Sequence, residues 1–157
     1  MQGGRLRTPG AQETTMWRAA GGAEPIGATE VHTAATAVAI PIIGTVAVDV
    51  AARADFDLDS IDDLRTAVDS VCARLVRLAA CNATLSCSFT VRLERIEVTA
   101  EVEVNDMVDP LPVGSFGWWV LRCLADEVRA IVLRGEPGQH GRVCILLIKD
   151  ALTPGPW

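Results

Sequence analysis

Histidine is scarce in this 157-residue chain and lysine nearly absent: His32 and His140 are the two histidines, and Lys149 is the sole lysine among 14 basic residues. The histidines lie far apart and neither has a second ligand three or four residues away, so the sequence offers no histidine-based metal site. There is no Gly-x-Ser-x-Gly elbow, and no histidine falls in a patterned segment, which removes the usual context of a serine or cysteine hydrolase. The five cysteines are odd in number and form no Cys-x-x-Cys pair. Neither a disulfide framework nor a zinc site is indicated, Cys72 and Cys123 read as packing residues, and the expected setting is a reducing cytoplasm. A clustered basic face, which binding to phosphate backbones requires, is missing too: the basic residues are scattered among 20 acidic ones, at a net charge of -6. The longest apolar run, Ala34 to Val48, is interrupted by Pro41 and Gly44 and closed by Asp49. It falls short of the roughly 20 residues a membrane span needs. These absences leave proteins, rather than nucleic acid or membrane, as the expected partners.

What is present is a well-patterned domain. Half of the residues are apolar, and a chain of this length buries roughly 70% of the surface it exposes when unfolded. Residues 1–27 are rich in Gly, Ala, Thr and Pro without periodicity and read as a disordered leader; 28–150 form the domain and 151–157 a tail. From Pro41, the positions Ile43, Val46, Ala47, Val50 and Ala54 follow a helical period, with the proline allowed in the first turn. A second helix carries the stripe Ile61, Leu64, Val68, Val71, Leu75 and Leu78, opened by a Ser60/Asp63 capping box. Its other face carries Asp62, Arg65, Asp69 and Arg77.

The period then changes. Leu85, Cys87, Phe89, Val91 and Leu93 alternate with polar residues, and Ile96, Val98, Ala100, Val102 and Val104 repeat the pattern after a Glu94-Arg95 link, which predicts an antiparallel hairpin. A loop over 105–114 opens onto a third helix at Ser115, with Trp118, Leu121, Leu124 and Ala125 facing inward. Adjacent helical residues point about 100° apart, so one of Trp118 and Trp119 is expected at the surface. Strands through Val128, Ile131 and Leu133 and over Val143–Ile148 complete the order helix, helix, strand, strand, helix, strand, strand. The fold class is α+β, a two-layer sandwich in which helices cover one face of a mixed, mostly antiparallel sheet.

The stretch Asp63-Leu-Arg-Thr-Ala-Val-Asp-Ser-Val-Cys-Ala-Arg-Leu-Val, with Gly114-Ser-Phe-Gly-Trp-Trp-Val-Leu-Arg-Cys-Leu-Ala-Asp-Glu-Val further on, resembles the anti-sigma-factor serine/threonine kinases of the RsbW type. These belong to the Bergerat-fold, histidine-kinase-like ATPases, and the likeness is to the divergent actinobacterial forms. It runs from about Ala37 to Lys149. In the family, the second helix carries a Glu that acts as general base and, four residues on, an Asn that holds magnesium. Here those positions are Ser70 and Arg74. A hydroxyl is too weak a base for the role, and loss of a general base costs about 10²- to 10⁴-fold in rate; arginine cannot ligate a cation. Arg74 either contacts phosphate oxygens directly, without metal, or pairs with an acid such as Asp69 or Asp106.

The family's adenine-reading box of Asp and glycines falls at Asn105-Asp106-Met-Val-Asp109, which has no glycine. Asp106 therefore either accepts from an adenine amino group or caps its loop. Gly114 and Gly117 remain of the later glycine box, at the start of a helix whose free N–H groups favour an anion. The resemblance thus implies ATP as a weakly held ligand at Arg74, Asp106, Gly114 and Gly117, with magnesium disfavoured and no catalytic residue in place. It further implies a homodimer that sequesters an alternative sigma factor, with Arg53 and Asp55 as contacts, and that a STAS-type anti-anti-sigma partner displaces. Two alternatives stand beside this: an active serine/threonine kinase of the partner-switching type, and an orphan scaffold that has lost both ligands.

Overall fold

The computed structural model describes residues 24–105, 112 and 114–152. It is an α+β sandwich in which five antiparallel strands form one sheet in the order β1-β2-β3-β5-β4. The strands are β1 (Gly27–Ala34), β2 (Thr84–Arg92), β3 (Arg95–Val104), β4 (Glu127–Leu133) and β5 (Gly141–Asp150), and the helices are α1 (Ala39–Arg53), α2 (Leu58–Leu78) and α3 (Phe116–Leu124). The fold class is as the sequence patterns indicate.

Each helix follows from its pattern. In α1, Ile43, Ala47, Val50 and Ala51 are buried, and Pro41 lies in the first turn, where an amide hydrogen would find no helical acceptor. In α2, Ile61, Leu64, Val68, Val71 and Leu75 line the core. They meet the inward residues of the sheet, among them Leu85, Phe89, Ile96, Val98 and Leu147. Burying one such side chain contributes about 1.5–3 kcal/mol before conformational entropy is counted. In α3 Leu121 is buried and Trp118 half-buried, while Trp119 stays 64% exposed, so the two indoles divide as the helical angle requires. Strand β5 is buried along Val143–Ile148, which accounts for its almost wholly apolar sequence.

Four local features differ from the sequence reading. Strand β1 was not anticipated, and it places the start of the fold ahead of the first helix, paired along its whole length with β2. The cap of α2 is Asp57, whose carboxylate accepts from the Ser60 N–H at 3.0 Å; Ser60 is buried within the first turn. The β2–β3 turn is Leu93-Glu94, one residue earlier than expected, because Arg92 pairs with Arg95 and Leu93 is consequently exposed. Cys123 lies exposed on α3, whereas Cys72 is buried as expected. The outer sheet face carries cross-strand ion pairs, Arg92 with Glu97 at 3.0 Å and Arg95 with Asp150 at 2.6 Å. Residues 1–23 of the leader and 153–157 of the tail lie outside the described residues.

Candidate functional site at the α2–α3 junction

Helix α2 is buried on one face from Ser60 to Leu75 and also packs against α3. Ser70 and Arg74, four residues apart, share one face of α2, and both are half-buried. The Arg74 guanidinium lies directly on Gly117, where a Cβ would collide with Nη2. The guanidinium occupies the space a side chain at 117 would take, so any larger residue there would displace it. Ser115 caps α3, its Oγ accepting from the Trp118 N–H at 3.2 Å, and Gly114 adopts φ 90 in the loop just before it, a backbone conformation that side chains resist.

The structure therefore brings Arg74 and Gly117 together, sets Ser70 one turn away on the same helix, and places Gly114 at the entrance to α3. Asp106 lies outside the described residues. Arg74 itself cannot ligate a metal ion, since a guanidinium has no lone pair to offer a cation. An anion fits better: a fixed positive charge sits against the N-terminal turn of a helix, where the backbone dipole also favours negative charge.

Asp69 does not pair with Arg74. Its carboxylate turns to α1 and rests on Gly44, whose Cβ, if present, would come within 2.5 Å of Oδ1. That oxygen is buried without a hydrogen-bond partner. Burial pushes the Asp69 carboxyl above its ordinary pKa, and the Arg65 charge opposes the shift. Sequence reasoning missed this contact, although a glycine inside a helical pattern is the signal of a close approach. Both proposed sigma contacts are exposed: Arg53, on the last turn of α1, holds Asp49 at 2.8 Å, and Asp55 follows with φ 59.

A second feature unnoticed in the sequence is the corner around Lys149. Its ammonium, largely buried, donates to the Leu124 carbonyl at the end of α3 at 2.9 Å and lies 3.4 Å from the Asp63 carboxylate of α2. A cation at a helix C-terminus is favourable, and one side chain thereby ties β5 to two helices. Among the described residues no helix is long and apolar enough to cross a membrane.

Helices on one face of an antiparallel sheet, with a long second helix meeting the glycine-flanked start of a short third one, make the α+β arrangement that the resemblance to RsbW-type regulators implies. No protein-family model matches the chain. Curated relatives do: the anti-sigma-F factor RsbW of two Mycobacterium tuberculosis strains is 36% identical over 118 residues, spanning 74% of this chain and 68% of the relative. The chain belongs to the RsbW anti-sigma factor family.

Proposed function

We propose that the protein is an anti-sigma factor that works by binding rather than by phosphotransfer: as a homodimer it holds an alternative sigma factor, and a STAS-type anti-anti-sigma partner releases it. Identity to anti-sigma-F factors supports the sigma factor as target. The observation that carries the non-catalytic reading is the Arg74 guanidinium seated on Gly117, at the position where the family has its magnesium-binding asparagine, with Ser70 in place of the base. ATP, on this reading, is at most a weak, metal-free ligand whose phosphates meet Arg74 and the first turn of α3; the base is read by whatever Asp106 offers.

Affinity purification of the tagged protein from its native host, with and without ATP, tests the proposal. Recovery of a sigma factor, together with no phosphoserine on the cognate STAS protein in labelled ATP, is the expected result. Recovery of neither a sigma factor nor a STAS protein overturns the sigma-binding reading, and phosphotransfer above a no-enzyme blank overturns the non-catalytic one. Any ATP binding seen by calorimetry is expected to survive EDTA and to weaken in Arg74→Ala.

A further inference from the structure

We infer that residues 1–23 fold back across the sheet face turned away from the helices and cover the apolar strip that β5 presents there. This goes beyond the proposed function and does not depend on it.

The strand itself calls for a second cover. Val143, Ile145 and Leu147 face the helices and belong to the core. Cys144, Leu146 and Ile148 alternate with them and so point to the opposite face, yet they are only 8%, 6% and 7% exposed. A strand that is apolar and buried on both faces has a layer against each. Among the described residues the helices lie on one face, and no helix or strand is stacked on the other. The second layer therefore belongs to chain outside the described residues. The register shows what that layer meets. Ile148 stands between Glu97 and Glu127, Leu146 between Thr99 and Arg129, and Cys144 between Glu101 and Ile131. The result is an apolar strip with carboxylates along its borders.

Residues 1–23 match this surface in reach, in apolar content and in charge. The chain enters β1 at Gly27, which the register sets level with Val91, Ile96 and Lys149, right beside Ile148. In the sheet, β5 lies three strands from β1, about 14 Å at the usual strand spacing. The seven steps from Trp17 to Glu24 reach up to roughly 23 Å when extended, and Gly21-Gly22 permits the reversal of direction. Residues 106–111, by contrast, follow β3 beyond Val104, at the end of the sheet away from Ile148, and lead to α3 on the helix side.

Met16 and Trp17 supply a large apolar group at the right distance. Arg5, Arg7 and Arg18 stand against one acid, Glu13, in a chain whose net charge is -6. The segment is thus basic and the rest of the chain acidic, which draws the two together. On this reading Trp17 lies over Leu146 and Ile148. Arg18 meets the carboxylates on either side, extending the pairs that Glu97 and Glu127 already make with Arg92 and Arg129.

Limited trypsin digestion of the full chain, read by mass spectrometry, tests this at the bond after Arg18, with circular dichroism and urea unfolding confirming that each variant folds. In the wild type that bond is expected to be cut at least about tenfold more slowly than in a free peptide of residues 1–23. Trp17→Ser and, separately, Leu146→Thr should each raise the rate by about tenfold and increase binding of an anilinonaphthalene sulfonate dye. Trp17→Ser lies outside the described fold, so it reads the contact even if Leu146→Thr unfolds the sheet. Trp157→Ser, in the tail, should change neither readout. Cleavage of the wild type at the free-peptide rate overturns the inference. Protection that survives both Trp17→Ser and Leu146→Thr overturns it too, because the segment then docks on another surface. A dye response to Trp157→Ser without one to Trp17→Ser assigns the cover to the tail and equally overturns it.

Discussion

A carboxylate oxygen of Asp69 ends inside the protein with no hydrogen-bond partner, and such a position disfavours charge. Burial raises this carboxyl above its unfolded pKa, so the protonated form favours folding and that advantage is lost as pH rises through the folded value. Asp69→Asn is therefore expected to be more stable than wild type at neutral pH, with a smaller loss of stability between mildly acidic and neutral conditions. Urea midpoints measured at several pH values check both. Single residues were unevenly legible in the sequence. Ser70, Arg74 and Gly117 could be singled out by their places in a familiar pattern, and Arg74 and Gly117 do meet. Asp69 read as an exposed acid, because helical periodicity says which side of a helix a residue is on but not that a neighbouring helix carries a glycine there. Asp57 and Ser60 are both good caps by chemistry; only the backbone geometry decides between them.

Among the elements, the β2–β3 hairpin stores a local cost that a substitution can release. Glu94 holds φ 59, a left-handed conformation that costs a residue with a Cβ on the order of 1 kcal/mol. Glu94→Gly should stabilise by up to about 1 kcal/mol, the gain being limited by glycine's greater freedom in the unfolded chain. Equilibrium unfolding measures it. The long helices and the paired strands were readable because each has one clean period. Strand β1 was not. Its Gly-Ala-Thr-Glu-Val-His-Thr-Ala sequence lies at the sheet edge and is mostly exposed, so burial imposes almost no alternation on it. The hairpin register slipped by one for a related reason: Leu93 looks like an inward strand residue, but the Arg92–Glu97 pair and the turn outweigh the burial of one leucine.

At the scale of the whole molecule, the two periods in the sequence sufficed for the α+β class, since a stripe on each helix and one apolar face on each strand leave few ways to close a core. What they could not indicate is which long-range polar contacts fasten the layers. Lys149 is one: it joins β5 to the end of α3 and to Asp63 of α2. Lys149→Met keeps most of the aliphatic stem and strands a carbonyl and a carboxylate, so a loss of about 1–3 kcal/mol is expected in urea unfolding. Lys149 is also the chain's sole lysine. Amine-directed reagents thus find a single side-chain target, and it is shielded in the native state. The rate at which it is acylated becomes a chemical clock for the opening of this one corner, readable by mass spectrometry without any engineered probe.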